Sequence, residues 1–410
     1  MTETCDVLVV GAGLAGLQCA RELEAAGRGV LVWEASDDVG GRIRTDRIDG
    51  FLVDRGFQVL NPAYPAVRRW VDVDALKLQS FGAGVRVRRE DSLAVLAHPL
   101  REPLLIPQTL RSGILKPRDV AGLLRWATPA FGLPRRGRGT DGPLREALDR
   151  AGCSGELRRV VDQFLAGVLL EDGGSTSNDF ALQLVRVFAS GVPGLPRDGM
   201  QALPRQLAAG LSTPVRTSTR VDSITPDGNA LLVTAADSAL RARQVVVATD
   251  PLTAGRLTGD PVPAMKGVLT HWFAASAAPS EVDMLCVDGR ARRGGPLVNT
   301  AVISNAAHSY APAGRHLIQT SALFGAGRPV PTDDEVRRHA GEIFGAPTSG
   351  WELVVRQEVP HALPVQLPPL RPREAVQNRS GLIVCGDHRE TASIQGALAS
   401  GHRAAQAILA

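Results

Sequence analysis

The tightest constraint on this chain lies in residues 7–16. Val7-Leu8-Val9-Val10 is an unbroken apolar run, the pattern of a parallel strand buried on both faces. It breaks into Gly11-Ala12-Gly13-Leu14-Ala15-Gly16, and Leu17, Ala20 and Leu23 then recur at helical spacing until Gly27. In such a strand–turn–helix, Gly11 permits the tight turn and Gly13 lets the backbone approach a pyrophosphate. Gly16 lets the helix lie close on the strand. The helix start at Leu14 and Ala15 offers unpaired N–H groups and the positive end of the helix dipole to phosphates. A second strand is expected over 29–33, with Glu34 and Ala35 at its end. An acid at that distance from the glycines receives ribose hydroxyls, and its charge disfavours the 2′-phosphate of NADP.

Two further strand signatures share this character. Val245-Val246-Val247-Ala248-Thr249 precedes Asp250-Pro251. Leu382-Ile383-Val384-Cys385 precedes Gly386-Asp387, and a small-residue helix follows to Ala410. Segments 215–224 and 230–234 flank Pro226-Asp227-Gly228 with hairpin chemistry. Of the stretches between, 81–196 is rich in Leu and Arg and expected to be helical, whereas 257–373 mixes strands with Pro-rich connections. The expected fold is α/β. A discontinuous Rossmann-type domain takes 1–80, 197–256 and 374–410, and an inserted mixed α+β substrate domain takes 81–196 and 257–373.

Gly40-Gly41-Arg42-Ile43-Arg44-Thr45 follows Glu34, and Asp54-Arg55-Gly56-Phe57-Gln58 comes next. Gly199-Met200-Gln201 and Arg220-Val221-Asp222 stand mid-chain, and Gly386-Asp387 with Ser393-Ile394-Gln395-Gly396-Ala397 closes it. Together these segments resemble the superfamily of flavin-containing amine oxidases, protoporphyrinogen oxidases and phytoene desaturases. The resemblance implies FAD at the N-terminal site. Gly41 would let the chain pass close to the cofactor, and Arg42 would face the pyrophosphate as a fixed guanidinium. Gly56, Phe57 and Gln58 would meet the isoalloxazine, and Val221 would pair with adenine. Asp387 would bind ribityl or phosphate groups. The helix start at Ile394 would aim N–H groups at the flavin pyrimidine, where a helix dipole stabilises developing negative charge.

The implied activity is FAD-dependent oxidation or desaturation of a small hydrophobic or amine-bearing substrate, by hydride transfer to flavin N5. Oxygen or another acceptor would take the electrons. Two alternatives stand beside it: a flavin-binding protein without turnover, and an NAD(P)H-dependent flavin reductase or saturase. The chain carries no second glycine fingerprint for a nicotinamide.

Departures from the family pattern narrow this expectation. Covalent members attach flavin to a cysteine, but Cys385 falls in the last strand signature and no other cysteine follows Trp351. The FAD is therefore expected to be non-covalent. Ser393 stands where many amine oxidases carry an aromatic beside the flavin, and neither tyrosine, Tyr64 or Tyr310, is near that motif in sequence. No catalytic side chain is assigned. His361 and Gln366, in a stretch resembling one before the last strand of protoporphyrinogen oxidases, are pocket candidates, together with His271 and Lys266.

Charge and cysteine usage exclude other classes. The net charge is +4, with basic residues spread along the chain, which argues against a nucleic-acid partner. The densest basic run, Arg135, Arg136 and Arg138, reads as a solvated loop. The five cysteines lack metal-ligand spacing, so no metal is expected. With no signal-peptide pattern and no apolar run of membrane-spanning length, the expected location is cytoplasmic. Segment 119–131 places Val120, Leu123, Leu124, Ala127 and Phe131 near two arginines. It reads either as a buried helix or as a peripheral membrane contact. Oligomeric state is open.

Overall fold

The computed structural model describes residues 3–132, 141–236, 238–325, 327–370, 376 and 380–410. The arginine run at 135–138 lies outside the described residues.

Two sheets organise the chain. In the first, Val30–Trp33, Glu3–Val10, Ser238–Val247 and Leu382–Val384 lie parallel in that order. The long Ser238–Val247 strand serves two neighbours in turn. Its first half pairs antiparallel with Ala230–Ala235, which continues the hairpin to Val221–Asp227. Its second half takes Leu382–Val384. Val7, Leu8, Val9 and Val245 to Val247 are fully buried, because both faces of the parallel strands are covered. On one face the Leu14–Ala25 and Ile394–Leu409 helices cross. A Cβ at Gly401 would stand 2.1 Å from the carbonyl oxygen of Ala15, so the two helix backbones touch there.

The expected 215–224 strand is divided. Arg216 bridges Trp33 in parallel, and the hairpin strand begins only at Val221. Between them Ser218 has φ 52°, a left-handed turn that no continuous strand contains.

The second sheet runs Glu352–Pro364, Met265–Ala275, His316–Phe324, Leu297–Val302, Leu285–Asp288, Gly84–Arg88 and Leu93–Ala97. The last two strands correct the helical expectation for 81–196. Gly84-Val85-Arg86-Val87-Arg88 alternates with period two, which is strand patterning. The remainder of that stretch is largely helical, over Ile106–Arg111, Pro117–Ala127, Leu144–Arg150, Gly155–Leu169 and Asn178–Ser190. Most of segment 119–131 is helical. The Pro117–Ala127 helix passes into a short 3-10 turn, and it buries Asp119, Gly122 and Trp126 while Leu124 and Phe131 point to solvent.

The Asp333–Phe344 helix starts with a capping box between Thr332 and Glu335 and packs Val336, Ile343 and Phe344 on Leu269 and Phe273 of the second sheet. That face points away from the Rossmann sheet. Trp272 and Ala274, on the opposite face of the same strand, join the Rossmann core. The two sheets thus meet across the alternate residues of Met265–Ala275. Among the described residues no helix is long and apolar enough to cross a membrane.

Candidate active site

The glycine turn at 11–16 has the geometry its sequence implies. Gly11 has φ 104°, and a Cβ there would press on Ala248 O at 2.9 Å. A Cβ at Gly16 would lie 2.0 Å from Gly11 O, so only glycine lets the helix sit this close to the strand. Gly13 is different. A Cβ there would meet nothing within 4 Å, so the space over the helix start is open. Gly13 is the N-cap of Leu14–Ala25 and no side chain caps that helix, leaving the first-turn N–H groups of Leu14 and Ala15 directed at the open space. Open space facing an uncapped helix start can accept a phosphate.

Glu34 is buried at the strand end. One carboxylate oxygen accepts from Ala12 N at 2.7 Å, and the other from Ser36 N at 2.8 Å, just past Ala35. Its backbone is held as well, since Glu34 N donates to Arg216 O and Thr219 N to Glu34 O. Val221 packs in the same cluster as Trp33, beyond Glu34.

Gly40 and Gly41 both have positive φ, and a Cβ on Gly41 would lie 3.4 Å from Gly13 Cα. The second glycine element therefore passes directly beside the first. It delivers Arg42, whose guanidinium donates to Asp387 Oδ1 at 2.5 Å and to Ala362 O at 2.6 Å. Asp387 is buried, and the ion pair joins positions 345 residues apart. The carboxylate of Asp387 holds the Arg42 guanidinium above its ordinary pKa against the opposing effect of burial, so it stays a cation. Gln58 Nε2 donates to Arg42 O at 2.9 Å and steadies the same turn.

Gly56 (φ 81°) faces the second sheet, and a Cβ there would touch Val359 and Val268 at 3.6 and 3.7 Å. Its N–H donates to Gln357 Oε1 at 2.9 Å, which also accepts from Trp272 Nε1 at 3.2 Å. Phe57 meets Phe81 edge to face, with ring centroids 6.2 Å apart. Behind Gly56 sits a buried polar knot. Asp54 accepts from Thr45 Oγ1, Met200 N and Tyr310 Oη, and burial pushes its carboxyl up to about 6.

At the closing motif Ser393 is a helix cap. Its Oγ accepts from Gly396 N at 3.0 Å, which leaves the N–H groups of Ile394 and Gln395 at the open end of the Ile394–Leu409 helix. Cys385 is buried in the core, and desolvation pushes its thiol up to about 12. It is neither exposed nor activated for a covalent link.

The pocket candidates separate. Lys266 and Val268 lie on the face of Met265–Ala275 turned toward Gly56, whereas His271 lies on the other face. His271 is fully buried, stacked on Phe273 and bonded through Nε2 to Asp333 Oδ1 at 3.0 Å. It is removed from the pocket by one step of the strand pleat. His361 is exposed at the sheet edge, beside the Ala362 carbonyl that Arg42 takes.

Lys266 and Gln366 do converge. Lys266 Nζ donates to Thr176 Oγ1 at 2.8 Å and Leu169 O at 3.1 Å, while Gln366 O accepts from Ser177 N at 2.8 Å. Burial lowers Lys266 to about 8. The side-chain oxygen of Gln366 is buried without a hydrogen-bond partner among the described residues.

Sequence reasoning missed three residues here. Gln357 is polar on an inward strand face, a signal that an alternation count would have found. The Asp54–Tyr310 contact spans 256 residues and has no local signature. The third is Tyr64, far from the closing motif in sequence, whose segment docks on it. Tyr64 packs against both the Rossmann core and the helical cluster that contains Ala392, and Ala66 N donates to Gln395 Oε1 at 2.8 Å.

The open glycine turn, the buried acid and the closing helix start are the features of a dinucleotide-binding α/β protein. The profile of the flavin-containing amine oxidoreductases matches residues 14–409, and the chain belongs to that family. Its cofactor is a flavin, and the open cradle and buried Cys385 fit FAD held without a covalent bond. Putrescine oxidase of Kocuria rosea is 49% identical over 67 residues, a stretch covering 16% of this chain and 14% of that protein. An oxidoreductase from Methanosarcina mazei shares the fold over 97% of this chain and 99% of its own, with a TM-score of 0.74 at 17% identity. A fatty acid isomerase from P. acnes that produces CLA does so over 99% and 98%, with a TM-score of 0.71 at 16% identity.

Proposed function

We propose that this chain is an FAD-dependent oxidoreductase acting on a small hydrophobic or amine-bearing molecule. When bound, FAD supplies, at N5, the acceptor for a hydride leaving a substrate C–H bond. Gly11, Gly13, Leu14, Ala15 and Gly16 hold the pyrophosphate, with Arg42 opposing its charge beside Gly41. Glu34 and Ala35 receive the adenosine ribose, and Val221 borders adenine. Gly386 and Asp387 hold the ribityl end, and Gly56, Phe57, Gln58 and Ile394 surround the isoalloxazine. Residues 1–80, 197–256 and 374–410 form the FAD unit in this reading, supported by their share of the parallel sheet.

The substrate lies between Gly56 and the helical insertion. Lys266, Thr176 and Gln366 supply its polar end, and Tyr64 and Leu363 its apolar wall. Lys266, lowered to about 8 by burial, can give up a proton from Nζ near neutral pH and accept one from a substrate ammonium. Desolvation keeps the Tyr64 phenol protonated, its pKa pushed up to about 12.

The observation that carries this reading is the meeting of Gly13, Gly41, Arg42 and Asp387 around one open cradle. The test is anaerobic bleaching of the purified flavoprotein with putrescine, benzylamine, a carotenoid polyene and a porphyrinogen. One class should reduce the flavin. Protein that takes up no FAD, or flavin reduced by none of the four but rapidly by NADH, would overturn it.

A further inference from the structure

The Gly155–Leu169 helix ends against Lys266. Leu169 is its last residue, and Leu170 follows at φ 52°, a left-handed conformation that stops the helix. The Leu169 carbonyl therefore belongs to the helix end, where carbonyls have no partner inside the helix. Lys266 Nζ donates to it at 3.1 Å. The next residues fold back on one side chain. Glu171 accepts from Ser175 N at 2.6 Å, Gly174 N at 3.0 Å and Thr176 N at 3.3 Å. That turn returns Thr176 to the helix end, where its buried hydroxyl accepts from Lys266 Nζ at 2.8 Å.

Leu169 O and Thr176 Oγ1 are the acceptors of Lys266 among the described residues. A protonated lysine has three N–H donors; the neutral amine keeps two and gains a lone pair. Two acceptors thus engage both N–H groups of the neutral amine and leave its lone pair free. On the adjoining strand Leu363 stands opposite Lys266 and carries no charge. The charged neighbours of the turn are engaged elsewhere. Asp172 pairs with Arg328 and Arg293, and Asp141 accepts from Ser177 Oγ, Asp179 N and Leu370 N. Arg145 donates to the carbonyls of Gly173 and Asp172. Glu171 is the charged group that favours the Lys266 ammonium, against the opposing effect of burial.

We propose that Glu171 is a positioning residue for Lys266: it holds the 171–176 turn so that Leu169 O and Thr176 Oγ1 engage the N–H groups of the amine and its lone pair stays open to a substrate proton. The proposal rests on the reading of Lys266 as proton acceptor for a substrate ammonium. In that step the substrate N–H bond breaks, its electron pair stays on the substrate nitrogen, and a new N–H bond forms on Nζ. Glu171 exchanges no proton in it.

The chain has three lysines, and Lys77 and Lys116 are exposed, so Lys266 can be titrated beside two internal controls. The FAD-loaded protein is labelled with trace acetic anhydride from about pH 6 to 10, and acetylation of each lysine is read by peptide mass spectrometry. Lys266 should titrate at about 8 in the parent. In Glu171→Gln, which keeps an acceptor for the turn, its midpoint should fall by about half a unit or more, with Lys77 and Lys116 unchanged. Thr176→Val keeps the side-chain shape and removes one acceptor, so the midpoint should fall there too and return in Thr176→Ser; this pair serves if Glu171→Gln does not fold. A midpoint that stays or rises in Glu171→Gln overturns the proposal, a rise being the mark of a loosened turn that hydrates Lys266. So does a Thr176→Val midpoint equal to that of the parent. Lys266 that stays unlabelled across the range overturns it as well, since a lone pair closed to the reagent is closed to substrate. The labelling needs no turnover: an unchanged turnover–pH profile in Lys266→Met would remove Lys266 from the reaction and leave its placement standing.

Discussion

Replacing Tyr310 by Phe tests the buried knot behind Gly56. Tyr310 and Asp54 are both buried, and the phenol donates to Asp54 Oδ2 at 2.9 Å. The other carboxylate oxygen is served by Thr45 and Met200 N, so Tyr310→Phe strips Oδ2 of its partner. Losing a hydrogen bond to a buried carboxylate costs about 1.5–3 kcal/mol, and losing one to the neutral acid about 1 kcal/mol. Burial raises Asp54 to about 6 in the folded state. Its contribution to stability is thus fully present below the unfolded carboxyl value and is lost as pH climbs through about 6. Tyr310→Phe removes a donor that favours the anion, so it raises Asp54 further and deepens that loss. The variant should therefore be destabilised more at pH 8 than at pH 5, by about 1 kcal/mol. Thermal melts of the FAD-loaded protein at both pH values read this out, with a fall at pH 8 of about 2–4 °C. An equal fall at both pH values, or none at pH 8, would refute the assignment of the cost to ionised Asp54.

Substitutions at four further positions separate roles that lie side by side. Gly13→Ala should leave the FAD-free protein as stable as the parent while reducing FAD affinity at least about tenfold, because its Cβ meets only the open cradle; equilibrium flavin titration with a melt of the FAD-free form checks both. Gly16→Ala should lower both, since its Cβ collides with Gly11 O. Gln357→Leu strands Gly56 N and Trp272 Nε1 and should cost about 2–4 kcal/mol in denaturant unfolding, whereas Gln357→Glu, which retains the acceptor, should recover part of it. Lys266→Met should abolish the limb of the turnover–pH profile that rises through about 8 and lower kcat about a hundredfold or more; an unchanged profile would remove Lys266 from proton transfer.

The parts of this protein legible in sequence are those in which function acts through the backbone. Gly11, Gly16 and Gly41 are demanded by local φ or by an approach of a few ångströms, so residue type alone reports geometry. The strand–turn–helix elements at 3–33 and 382–409 could be read from the order of apolar and glycine residues. The Gly84–Arg88 strand was hidden by a helical composition around it, although its period was two.

Which side chains of the second sheet face the Rossmann core was a different matter. His271 and Lys266 occupy one strand, and the direction of each was set only when one face of that strand met the Rossmann core and the other met the Asp333–Phe344 helix. The 64–66 segment came to the closing motif, and Tyr310 to Asp54, through docking of segments hundreds of residues apart, which no local pattern encodes. Cofactor choice rests on backbone shape that neighbours in sequence impose. Pocket chemistry rests on which faces are buried against each other, and that is decided only when the two sheets pack.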